Sequence, residues 1–133
     1  MNHSGLHGAR ILIVEDEFLI AMDIEEICLE WGAESVHIAK TVAELADADL
    51  GKFDLAVLDR SVGLETSHGV ARRLAANGTP FIFTSGFPDD GELAEFPDAP
   101  FVGKPYSTER LLEALSGVMS KARPAQRVLD EST

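Results

Sequence analysis

Residues 53–59 read Phe-Asp-Leu-Ala-Val-Leu-Asp. From Leu55 to Leu58 four apolar residues follow one another without a polar break, and the run stops on a carboxylate, Asp59. A short apolar run bounded by polar residues reads as a strand buried on both faces, the kind found in a parallel sheet covered by helices.

Similar runs lie on either side. Arg10–Val14 (RILIV) ends in Glu15-Asp16-Glu17, Pro80–Thr84 (PFIFT) ends in Ser85-Gly86, and Phe101-Val102 ends in Gly103-Lys104-Pro105; Ser35–Ala39 is weaker. Between them run amphipathic segments. Phe18 to Trp31 carries Leu19, Ile20, Met22, Ile24, Ile27, Cys28 and Trp31 near a helical period, with Gly32 where a C-terminal glycine belongs. Thr41 and Glu44 have capping-box spacing and predict a second helix. Val70–Ala76 predicts another, closed by Asn77-Gly78. Ser107 or Thr108 caps a last helix with Leu111, Leu112, Leu115, Val118 and Met119 on one face. Pro124 predicts its end near Ala122, because proline lacks the amide that a helix interior needs. The stretch from Gly86 to Pro100 is poorly periodic and reads as a loop with at most a short helix near Glu92–Glu95. Five strand–helix alternations predict a doubly wound α/β fold with a five-stranded parallel sheet.

The chain has 133 residues, the size of one domain. Residues 1–8 read as a flexible start, 9–121 as the domain and 122–133 as a flexible tail. The start lacks the pattern of a signal peptide, and no apolar stretch reaches the roughly 18 residues that a membrane span needs. The net charge of −12 disfavours nucleic acid and anionic lipid as partners. The one cysteine, Cys28, lies in an amphipathic segment and reads as a buried core thiol. These features predict a cytoplasmic protein.

In such a fold, ligands bind beyond the carboxyl ends of the strands. Glu15 and Asp16, Asp59, Thr84 and Ser85, and Lys104-Pro105 all stand at such ends. Taken singly, each has an ordinary reading: a cap, a strand-end hydroxyl, a solvated lysine. Taken together they form a chemical set. Three crowded carboxylates repel one another, and a hard cation such as Mg²⁺ with oxygen ligands relieves them. A hydroxyl and an ammonium beside them suit the spread charge of a phosphoryl group. Asp59 is then a carboxylate nucleophile.

The motifs Val14-Glu15-Asp16-Glu17, Leu58-Asp59, Thr84-Ser85-Gly86 and Lys104-Pro105 resemble, in order and spacing, those of CheY-like response-regulator receiver domains, over about residues 9 to 120. The resemblance implies strand order 2-1-3-4-5 and places the phosphoacceptor at Asp59. It implies Mg²⁺ bound by Asp16, Asp59 and the backbone carbonyl of Ser61, with Glu15 assisting through the metal's waters. It gives Thr84 and Lys104 to the phosphoryl oxygens, a cis peptide before Pro105, and Thr84, Ser85, Phe87 and Phe101 to the switch. It implies a sensor histidine kinase or histidine phosphotransfer protein as donor, a downstream protein target, and a phosphoacceptor in place of a turnover enzyme. Residues 80–87 (PFIFTSGF) are also similar to the PFxFxTGY motif of the FAT GUY receivers. Four departures stand out: Ser85-Gly86-Phe87 for Thr-Gly-Tyr, Ser61 for the commoner Asn, Gly103 for a larger apolar residue, and Leu64 where a glycine is usual, with Gly63 one earlier.

Two other readings bear on the same residues. A haloacid-dehalogenase-like phosphohydrolase needs a second acid two residues after its nucleophile, and Ser61 stands there. An interaction module that works without phosphorylation would not require Asp16, Asp59, Thr84 and Lys104 together. His3, His7, His37 and His68 show no paired metal-ligand spacing.

Overall fold

In the computed structural model, residues 5–86, 91 and 94–131 are described, with the side chains of 122–131 left aside. Five strands form one parallel sheet: β1 (Arg10–Val14), β2 (Ser35–Ala39), β3 (Leu55–Asp59), β6 (Phe81–Ser85) and β7 (Phe101–Gly103). Their order is β2-β1-β3-β6-β7, which is 2-1-3-4-5 when the strands of this sheet are numbered along the chain, as the resemblance implies. A two-stranded antiparallel hairpin, β4 (Ser61–Val62) with β5 (Glu65–Thr66), follows β3 directly. The helices are α1 (Phe18–Glu30), α2 (His68–Ala76) and α3 (Thr108–Glu131).

Strand side chains alternate between faces, and the buried residues divide accordingly. Ile11, Ile13, Leu55, Val57 and Ile82 pack with Ile24, Cys28, Leu111 and Leu115 beneath α1 and α3. Leu12, Val14, Leu58, Phe81 and Phe83 pack with Val70 and Leu74 of α2 on the other face. Each central strand is thus buried on both sides, which is why its sequence is continuously apolar.

Helix α1 ends as its sequence predicts. Gly32, at φ +102°, donates to Leu29 O at 3.1 Å, and Ala33 donates to Cys28 O at 3.0 Å, the paired bonds of a Schellman motif.

Three expectations change. First, the segment from Thr41 does not propagate into a helix. The capping box forms, with Glu44 N to Thr41 Oγ1 at 3.2 Å and Thr41 N to Glu44 Oε2 at 3.1 Å. Only two 3-10 turns follow, Ala43–Leu45 and Leu50–Lys52. The guanidinium of Arg73 takes the carbonyls of Leu45 and Ala48 at 2.7 and 2.6 Å, and Asp49 accepts from Gly51 N at 2.9 Å, so the helical bonds are replaced by side-chain bonds. Second, residues 5–8 are tied down. Leu6 is fully buried, and Leu6 N and Gly8 N donate to Trp31 O and Gly32 O, both at 2.9 Å. Third, α3 continues through Pro124 to Glu131. The flanking Ala122, Arg123, Ala125, Gln126 and Arg127 are good helix formers, and proline removes only one bond from the ladder. The described residues of the β6–β7 connection form no helix, in keeping with the loop read from the sequence, and within it Phe96 is buried between Phe81 and Phe83, with ring centroids 5.7 and 5.6 Å away. Glu92 and Leu93, where a short helix was expected, lie outside the described residues; Ala94 and Glu95 form a turn.

Candidate functional site

The register of the sheet brings the candidate residues to one edge. Val14 pairs with Leu58, so Glu15 and Asp59 leave neighbouring strands together; Asp59 is level with Thr84, and Ser85 with Gly103. Lys104 follows the end of β7, and its amide donates to Ser85 O at 2.7 Å. The Lys104–Pro105 bond is cis, as the resemblance implies.

The side chains converge as well. Glu15, Asp16 and Asp59 each bring a carboxylate oxygen to within 4.8 Å of the others. The ammonium of Lys104 donates to Asp59 Oδ2 and Glu15 Oε1, both at 3.0 Å. Backbone amides hold three of the other four oxygens: Glu17 N donates to Glu15 Oε2 at 3.1 Å, Ser61 N to Asp59 Oδ1 at 3.2 Å and Gly63 N to Asp16 Oδ2 at 3.0 Å. Glu15 and Asp59 are buried, while Asp16 is exposed to solvent.

This burial has electrostatic consequences. It is the main cause that pushes the Glu15 carboxyl up to about 7; the Glu17 amide and Lys104 oppose the rise and the Asp59 charge adds to it. For Lys104, burial acts to lower the ammonium's pKa, but the bonds to Asp59 and Glu15 outweigh it and hold the charge on. Tyr106, half-buried beyond Pro105, is pushed up to about 12, first by burial and further by the acids of the site, against the opposing charge of Lys104.

Thr84 is fully buried, and its Oγ1 has no hydrogen-bond partner among the described residues. Its carbonyl does have one, the amide of Arg60 at 2.8 Å. Buried unsatisfied hydroxyls are few in folded proteins, so a hydroxyl kept at the end of β6 beside Asp59 is notable. Ser85 is buried and Phe101 half-buried against the α2-side core. Phe87 lies outside the described residues.

The donor set fits a hard divalent cation. Among the described residues it consists of the oxygens of three carboxyl groups, two of them bonded to the Lys104 ammonium. A soft metal would require sulfur or imidazole, and Cys28 is buried within the core beneath α1 and α3.

Comparison with known proteins bears on the fold and the family. No family model matches the chain. The transcriptional regulatory protein PdtaR of Mycobacterium tuberculosis is 31% identical over 122 residues, covering 86% of this chain. The chain spans 58% of the length of that relative. Among solved structures, the receiver domain of HemR from Leptospira biflexa matches with a TM-score of 0.72 and 27% identity, over 84% of this chain and 94% of that one. SdrG from Sphingomonas melonis matches with a TM-score of 0.67 and 38% identity, over 87% of this chain and 98% of its own. The chain belongs to the CheY-like receiver family.

Within that family frame, the structure brings together Glu15, Asp16, Asp59, Ser61, Thr84 and Lys104. It also adds two residues that sequence reasoning passed over. Gly63 was noted only as a displaced glycine, yet its amide reaches Asp16 from 47 positions away. Tyr106 gave no signal beyond following Lys104-Pro105. Among the described residues, no helix is long and apolar enough to cross a membrane.

Proposed function

We propose that this receiver accepts a phosphoryl group on Asp59 from a phosphohistidine, carried by a sensor histidine kinase or a histidine phosphotransfer protein, and signals by protein–protein contact. The observation that carries this reading is the ion pair between buried Asp59 and half-buried Lys104, 3.0 Å apart, beside the hydroxyl of Thr84, which has no partner among the described residues. An Asp59 oxygen attacks phosphorus in line; the P–N bond breaks and its electron pair returns to the imidazole of the donor. Lys104 Nζ balances charge on the phosphoryl oxygens, and Thr84 Oγ1 gains the acceptor that it lacks in the unmodified protein. Asp16, Asp59 and the carbonyl of Ser61, with Glu15 assisting, would hold Mg²⁺, which would supply neutralising charge.

Ser85, Phe87 and Phe101 then form the switch, and the residues 80–87 favour the FAT GUY type of receiver. The folded domain acts in the cytoplasm, as a phosphoacceptor and not a turnover enzyme. Nucleic acid and membrane are not partners on this reading, given the net charge of −12.

The test is incubation with Mg²⁺ and acetyl phosphate, or with beryllofluoride, followed by intact mass and amide NMR spectra. One added phosphoryl group, lost in Asp59→Asn, is the expected result. Equal labelling of the variant, or an unaltered protein, would overturn the reading.

A further inference from the structure

The hairpin between Asp59 and α2 ends in a backbone feature that the phosphoacceptor reading does not use. Gly63, at its tip, has φ +64°, in the left-handed region that glycine enters without penalty. A Cβ there would meet nothing within 4 Å, so the demand for glycine is conformational and not steric. The conformation aims the Gly63 amide at Asp16 Oδ2, 3.0 Å away.

The hairpin is fixed at its base. Ser61 pairs with Thr66, Ser67 N donates to Arg60 O at 3.1 Å, and Arg60 N donates to Thr84 O at 2.8 Å. It therefore acts as a strut that starts on β6 and ends on an exposed carboxylate of the β1–α1 connection. Leu64, beside the tip, is fully exposed, so packing of that side chain does not account for the tip's position.

We propose that Gly63 is a positioning residue for the divalent cation, holding Asp16 as a one-oxygen ligand and so favouring Mg²⁺ over Ca²⁺. This rests on the cation site of the preceding section. The amide proton occupies one Asp16 oxygen, and a cation chelated by both oxygens has to compete with it. Ca²⁺ commonly takes carboxylates in that two-oxygen mode within a loose shell of six to eight ligands, whereas Mg²⁺ demands near-ideal octahedral geometry with few carboxylates. The displaced glycine thereby acquires a role.

Two measurements test this on the full chain. Calorimetric titration with MgCl₂ and CaCl₂ compares wild type, Gly63→Asn, which keeps the amide and tolerates the left-handed region, and Gly63→Pro, which removes both the amide and the left-handed conformation that aims it. Gly63→Pro should bind Mg²⁺ about tenfold more weakly with a smaller loss for Ca²⁺, and Gly63→Asn should restore both the affinity and the preference. An equal loss for both ions, or no loss in a folded Gly63→Pro, overturns the proposal. Should Gly63→Pro not fold, amide exchange in wild type decides. The Gly63 amide should stay protected at Mg²⁺ saturation and exchange faster at Ca²⁺ saturation; equal protection in both overturns the proposal. Wild type that binds neither ion and forms no beryllofluoride adduct defeats the phosphoacceptor reading itself, whereas normal wild-type binding with indifferent variants defeats only the role of Gly63.

Discussion

Lys104 Nζ donates to Asp59 Oδ2 at 3.0 Å across 45 residues of sequence, and this bond joins the end of β7 to the end of β3. With Glu15 Oε1 also at 3.0 Å, the single ammonium balances two buried carboxylates. Replacing Lys104 by Met leaves both acids without their cation. Breaking one side of a buried pair costs more than the pair itself contributes. Lys104→Met should therefore lower metal-free stability by about 2 kcal/mol. Added Mg²⁺ should recover more stability in the variant than in wild type. Urea titrations with EDTA and with Mg²⁺ measure both effects; equal Mg²⁺ increments would show that Lys104 does not balance the cluster.

The Glu15 carboxyl gives the site a pH dependence. Its folded value of about 7 lies above the ordinary 4.5, chiefly because burial disfavours the charged form. Between those values the folded state binds the extra proton. The contribution to stability is therefore fully present below 4.5, falls as the pH rises toward 7, and is gone above it. Its size is at most about 3 kcal/mol. The difference in urea midpoint between wild type and Glu15→Gln, without metal, should thus shift against wild type from pH 4.5 to pH 7.5. Mg²⁺ affinity should run the opposite way, rising with pH as the carboxyl ionises. A Mg²⁺ dissociation constant that is flat over about pH 6 to 8, one unit either side of that titration, would remove Glu15 from the binding equilibrium.

How much of this was legible beforehand depends on the range of the interaction. Continuous apolar runs such as Leu55–Leu58 report burial on two faces, so the sheet and its carboxyl-end residues followed from local pattern alone. The Gly32 terminus was legible for the same reason, because a Schellman motif is closed by residues adjacent in sequence. The helix expected from Thr41 failed because the competitor, Arg73, comes from another element. The Gly63–Asp16 bond was hidden because a backbone amide has no residue-type signature, and Phe96 because a lone aromatic in an aperiodic loop does not announce its partners.

Leu6 is the same lesson in energetic form. It is one apolar residue among Met1–Gly8, and periodicity cannot single it out, yet it is fully buried with Trp31 and Ile27 in the core beneath α1 and α3. Truncating a buried leucine to alanine costs about 2–5 kcal/mol. The backbone bonds from Leu6 and Gly8 to the end of α1 remain possible in Leu6→Ala, so the loss should fall at the lower end, about 2–3 kcal/mol. Chemical denaturation measures it. A change under about 0.5 kcal/mol, the level of an ordinary surface substitution, would mean that residues 5–8 do not pack on the domain in solution.

Thr84 separates the stability of the unmodified protein from the response to phosphorylation. Its Oγ1 is buried without a partner, so the unmodified fold already bears the cost of stripping water from that hydroxyl. Thr84→Val keeps the shape and removes the polar atom. In the unmodified protein the substitution should be neutral or stabilising, by up to about 1 kcal/mol. In the beryllofluoride adduct, wild type gains a hydrogen bond to a charged acceptor that valine cannot make, worth about 1.5–3 kcal/mol. The thermal shift on adduct formation should therefore be smaller in Thr84→Val than in wild type, although the variant starts at least as stable. A variant destabilised without ligand would show that Thr84 is an ordinary structural hydroxyl. Equal shifts in the two proteins would show that the hydroxyl does not reach the phosphoryl oxygens.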